Sequence, residues 1–119
     1  MIIANEVVDA LPVHAVKLSN NGLTELGVKL DAHEHRFTWC ELDTINPMVN
    51  EFITNNEILS NILNYYTKQD STELLENLNK DQPFFIEVNC LLENWLKDIT
   101  QNLNQGAAIF LDYGDTAKN

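Results

Sequence analysis

The sequence predicts a mixed α/β fold: two parallel strands joined through a crossover helix, with an antiparallel β-meander and a helical segment inserted after the first strand. Three observations carry this. Apolar runs stand at 2–6 and 108–112; neither alternates, and each ends on an acid. Such continuous runs suit strands buried on both faces, as in a parallel sheet. Residues 13–42 instead show period-2 alternation rich in β-branched and aromatic side chains, and 44–82 keep near-helical spacing.

Residues 1–12 (MIIANEVVDALP) read as a strand followed by an acidic loop, closed by Pro12, which cannot donate to a ladder. Residues 13–43 read as three antiparallel strands. Ser19-Asn20-Asn21-Gly22 makes the first turn, Asn-Gly being a strong hairpin signal, and Asp31-Ala32-His33-Glu34 the second. The expected apolar face carries Val16, Leu18, Leu26, Val28, Leu30, Phe37 and Trp39, with Lys17, Glu25, Lys29 and Arg36 on the wetter side.

Residues 44–82 read as a helical insert opened by Asn46-Pro47, since Pro is favoured in a first turn. Polar Thr54-Asn55-Asn56 divides it, with Asn56 placed to cap a second helix. Asp70 and Glu73 form a capping box for a third, short helix over 72–79. Residues 83–119 begin with an extended segment, PFFIEV. Asn89 can then cap a helix over 89–104, with Leu92, Trp95, Leu96, Ile99 and Leu103 on one face and Gly106 at the position after its end. The second apolar run, AAIFLDYG, follows at once.

At 119 residues the chain is one domain's worth, able to bury roughly two-thirds of its unfolded surface. Its charge is −11, from 7 Lys+Arg against 18 Asp+Glu, which repels phosphate backbones and anionic lipid surfaces. Neither nucleic acid nor a membrane is therefore expected as a partner; a basic protein is the easier match, beside plain solubility. Trp39, Trp95, Phe84 and Phe85 have no basic residues interleaved for stacking on bases. Cys40 and Cys90 lack CxxC spacing and are expected as reduced thiols. MIIANE has no basic n-region of a signal peptide, and no apolar run nears the ~20 residues of a membrane span. A soluble intracellular chain is expected, cytoplasmic in a bacterium or in the mitochondrial matrix of a eukaryote.

In open parallel sheets, ligands bind beyond the carboxyl ends of the strands. That rule points to Asn5, Glu6 and Asp9 after the first strand, and to Asp112 and Tyr113 after the second. Two strands do not constitute such a sheet, so flanking strands are expected.

IANEVVDALPVH at the start and GAAIFLDYG near the end, preceded by FIEVNCLLENWLKDITQNLNQ, resemble the MidA family of S-adenosylmethionine-dependent methyltransferases. The first stretch is similar to that family's Asn-Glu-x-x-Asp-Ala-Leu-Pro-Val-His block, and Gly106–Gly114 to its Gly-x-x-x-x-x-Asp-Tyr-Gly block. The likeness covers nearly the whole chain and is weakest over 44–82. It implies a partial class I methyltransferase (Rossmann-like) sheet, with residues 2–5 as the fourth strand and 107–112 as the fifth. Mitochondrial members are complex I assembly factors that methylate arginine on a core complex I subunit, so a basic protein substrate is implied. The family's Gly-rich cofactor loop has no counterpart, since Gly22, Gly27, Gly106 and Gly114 form no GxGxG-like arrangement. The chain is therefore expected to be a piece of a larger enzyme, binding S-adenosylmethionine poorly or not at all by itself.

By that resemblance Glu6, Asn5 and Asp9 are the catalytic candidates, with Ala4 and Asn5 on the cofactor side and Pro12, His14, Asp112 and Tyr113 on the substrate side. Glu6 can hold a guanidinium through paired, charge-assisted hydrogen bonds and aim a nitrogen lone pair at the methyl group. Taken as a bare residue it equally caps the following turn or faces solvent. Asn5 either positions the acceptor or bonds the turn; Asp9 is either a second carboxylate or an Asx-turn residue. His14 opening an edge strand is commonly a surface residue. His33-Glu34-His35 shares a face but has no third ligand near it, so a solvated turn is expected and no metal. The rival functional class is a non-catalytic acidic docking or assembly module. With its sheet edges exposed, the fragment is also expected to dimerise or swap a strand.

Overall fold

The computed structural model describes residues 1–68 and 78–113. The capping box at Asp70 and Glu73, and Gly114 of the second block, lie outside them. The chain divides into two compact units, Met1–Pro12 with the residues from Leu91 onward, and Val13–Cys90.

In the first unit, β1 (Ile2–Asn5) pairs in parallel with β6 (Ala108–Leu111), Ile2 opposite Ala108 and Asn5 opposite Leu111. Helix α3 (Leu92–Gln101) precedes β6 and sets Trp95 edge-on to Phe110, ring centres 5.5 Å apart. The helix starts at Leu92, with Leu91 rather than Asn89 at the cap position and no side-chain cap bond. Gly106 does not cap it, because the helix has already ended at Gln101. The glycine sits in the turn into β6 at φ +133°, where a side chain is strained. No α3 residue is fully buried, and Ile3, Ile109 and Leu111 are 44–60% exposed.

The second unit is a four-stranded antiparallel sheet in the order β4-β3-β2-β5. Its strands are β2 (His14–Ser19), β3 (Gly22–Asp31), β4 (Arg36–Glu41) and β5 (Phe84–Val88). The expected meander is present, and PFFIEV, read only as an extended segment, is a fourth strand paired with β2. Asn20 and Asn21 form a two-residue loop, and Gly22 takes the left-handed φ of +95° that closes it. Helices α1 (Pro47–Asn55) and α2 (Glu57–Lys68) follow the expected caps: Asn46 Oδ1 accepts from the Met48 amide and Asn56 Oδ1 from the Leu59 amide, each at 3.0 Å.

The helices cover one face of the sheet, where Val16, Leu18, Val49, Ile53 and Val88 are fully buried. Tyr65 and Tyr66 close the core, donating their hydroxyls to the carbonyls of Leu78 (2.6 Å) and Gln82 (2.9 Å). The expected assignment of faces is overturned here. The tight turn sets Ser19 opposite Gly22, so Val16 faces Glu25, and Leu26 faces Ala15 on the reverse side. Val16 and Leu18 point to the helices, whereas Leu26, Val28, Leu30, Phe37 and Trp39 line the opposite, open face. Side chains alternate strictly along a strand, so one turn decides every later position.

Candidate active site

The acidic motif sits where two parallel strands end side by side. Beyond Asn5 the chain continues the pairing for one more bond, the Glu6 amide donating to the Leu111 carbonyl at 2.8 Å. Glu6 itself takes φ +52°, left-handed backbone that costs a residue with a Cβ on the order of 1 kcal/mol. That kink turns the chain off β1 into two successive tight turns, Ala10 donating to Val7 and Leu11 to Val8, before Pro12.

Asp112 ties this loop to β6. Its Oδ2 accepts from the Asp9 amide at 3.1 Å, 103 residues away in sequence, and its Oδ1 from the Tyr113 amide at 3.0 Å. Asn5, Glu6, Asp9, Asp112 and Tyr113 thus gather at one end of the β1–β6 pair, all solvent-exposed. Asp112 accepts from two amides and so fastens the loop to the end of β6. Asp9 is anchored through its main chain, and Glu6 is held by its backbone alone. Ala4 is half-buried within β1; Pro12 is exposed at the loop's end.

His14 belongs to the other unit. It opens β2 opposite Val88, half-buried, with its Nδ1 2.6 Å from Glu25 Oε1. Glu25, expected on the wet side, is 7% exposed and accepts from the Asn46 amide at 2.7 Å through Oε2. That amide, above all, holds the Glu25 carboxyl below its ordinary range, with help from His14 and against the opposing effect of burial. Sequence reasoning missed Glu25; the signal that could have found it is the two-residue Asn20-Asn21 loop, whose register sets Glu25 across from buried Val16. Burial pushes the Cys90 thiol up, and the charge of Glu25 adds to the effect. Both cysteines are free and half-buried, as expected.

Among the described residues no three His, Cys, Asp or Glu side chains are grouped to hold a metal. His33-Glu34-His35 is a turn in which Asp31 Oδ1 accepts from the amides of His33 and Glu34, and Arg36 pairs with Glu34. Among the described residues no helix is long and apolar enough to cross a membrane.

One family model, described as "Putative S-adenosyl-L-methionine-dependent methyltransferase", matches residues 1–119. No curated protein and no solved structure matches the chain. The family match takes in both strands, both acidic loops and the inserted sheet, and the chain belongs to this family of S-adenosyl-L-methionine-dependent methyltransferases.

Proposed function

We propose that the chain forms the acceptor side of a methyltransferase active site and that its substrate is an arginine side chain of a protein. The observation that supports this most is the junction of the two strand ends. There Glu6 is held in left-handed backbone beside β6, with the Asp9 loop fastened by Asp112. S-adenosylmethionine, when bound, supplies the electrophilic methyl group.

The described residues meet that cofactor on one side only. Ala4 offers a small side chain and Asn5 an exposed amide at the strand's end, but no glycine opens the turn after β1, where Glu6 stands. The cofactor side is thus completed by chain beyond these residues, in keeping with the exposed faces of β1 and β6.

Glu6 then accepts two guanidinium N–H hydrogen bonds and draws the positive charge toward the nitrogens it holds, so that the third nitrogen can take up the methyl group and release its proton to solvent at this exposed end. Asp9, three residues on and exposed, adds a second negative charge that favours a basic segment. Glu6→Gln in the full-length protein should remove methyl transfer to an arginine-containing substrate while leaving cofactor affinity nearly intact. Unchanged turnover would take Glu6 out of the reaction. Calorimetry with S-adenosylmethionine separates the parts: the whole protein binds and the 119-residue chain does not, and micromolar binding by the chain alone would overturn the one-sided site. A non-catalytic acidic docking module is the second reading, favoured by the charge of −11. It requires that the full-length protein transfer no methyl group at all.

A further inference from the structure

The open face of the antiparallel sheet has no role in methyl transfer as described, yet it carries several large, exposed apolar side chains. Phe37, Trp39 and Phe85 are 77, 68 and 59% exposed on it, with Val28 and Leu30 beside them at 58 and 62%. At roughly 200 Å² per ring the three aromatics alone leave about 400 Å² of apolar surface in water. With Val28 and Leu30 the total is about 600 Å², at the upper end of the largest apolar patch on a typical monomer, the size at which such patches are often functional.

The face also has a shape. β2 pairs with β3 only from Ala15–Leu26 towards the turn, so Val28–Asp31 and Arg36–Trp39 project as a two-stranded arm. Such a ribbon is marginal unless its apolar side is covered. Beside the arm lies a groove of about 820 Å³ between Trp39 and Phe85, floored by Ala15 and Leu26 and edged by Lys17, Glu41 and Glu87. Lys17 pairs with Glu41, and Glu87 has no ion-pair partner among the described residues.

We propose that this face is the interface of a homodimer in which the apolar arm of each copy lies in the groove of the other. Arm and groove share one surface, so a two-fold axis satisfies both at once. Two faces of about 600 Å² bury about 1,200 Å², the lower end of a specific interface, before any polar rim is counted. Lys17 of one copy then has Glu87 of the second copy as an available counter-charge. Because each copy carries −11, long-range repulsion opposes the apolar attraction, so added salt strengthens association.

Sedimentation and light scattering of the 119-residue chain, across micromolar to millimolar concentration, should show a monomer of 13.6 kDa passing to twice that mass. Raising NaCl from about 50 to 500 mM should tighten the dimer, while weakening by salt would overturn the apolar interface. With Trp95→Phe removing the second indole, Trp39 emission should shift to the blue along the same concentration curve. Phe37→Lys with Trp39→Glu should weaken the dimer about 30-fold or more. Phe37→Ser, a milder change at an exposed site, should weaken it less, and circular dichroism checks the fold of each variant. A chain that stays monomeric with solvent-like Trp39 emission overturns the proposal and leaves the face to a different protein. A dimer indifferent to the folded variants overturns it in favour of pairing through sheet edges.

Discussion

His14 Nδ1 lies 2.6 Å from Glu25 Oε1, and the other oxygen of that carboxylate accepts the Asn46 amide at 2.7 Å. One buried acid therefore joins the first residue of β2, the middle of β3 and the cap of α1. The pairing sets the tautomer when His14 is neutral: the proton sits on Nδ1, facing Glu25.

This carboxylate should make the fold acid-sensitive. The folded-state pKa of Glu25 lies below its ordinary 4.5, so its contribution is complete above that value and fades as pH falls through the lower, folded value. Glu25→Gln should cost about 1–3 kcal/mol at pH 7, and the gap to the unaltered chain should shrink in strongly acidic buffer. Urea unfolding at a series of pH values measures it; a gap that does not change with pH would mean the charge is irrelevant.

Glu6 should set stability against activity. Replacing it with glycine removes the left-handed strain at φ +52° and should raise unfolding free energy by up to about 1 kcal/mol, read from denaturant midpoints. Methyl transfer by the full-length protein should be lost in the same variant. A glycine variant less stable than the parent would show that the glutamate side chain supports the loop itself.

Asp112 should govern the loop without touching chemistry directly. Asp112→Ala leaves the Asp9 amide without its acceptor and should cost about 1–2 kcal/mol locally. Hydrogen exchange at Asp9 should quicken about tenfold, and Asp112→Asn, which keeps an acceptor oxygen, should restore part of the protection. Equal exchange in all three proteins would count against the tie.

Cys90 should react slowly. Burial and the nearby Glu25 charge hold its thiol above the ordinary range, so little thiolate is present near neutral pH. Disulfide-exchange reagents should modify it at least tenfold more slowly in the folded chain than in denaturant, and Glu25→Gln should narrow the difference. Equal rates would show the site to be open.

Much of this is legible in the sequence. The apolar runs ending in Glu6 and Asp112, the caps at Asn46 and Asn56 and the three strands of the meander depend on local chemistry, which residue types declare directly. β5 was missed because PFFIEV is short, and its partner β2 lies about 70 residues earlier in the chain. Glu25 was misplaced because charge suggested water, whereas the hairpin register set it opposite buried Val16.

The sequence by itself thus determined most of the elements, the acids at the strand ends and the class of chemistry they suit. Only the tertiary structure decided which face each strand residue occupies, that Asp112 serves the loop through Asp9, and that Glu25 rather than solvent holds His14. The reason is physical. Propensity and capping act within a few residues, but register and long-range hydrogen bonds depend on partners that the chain brings together only when it folds.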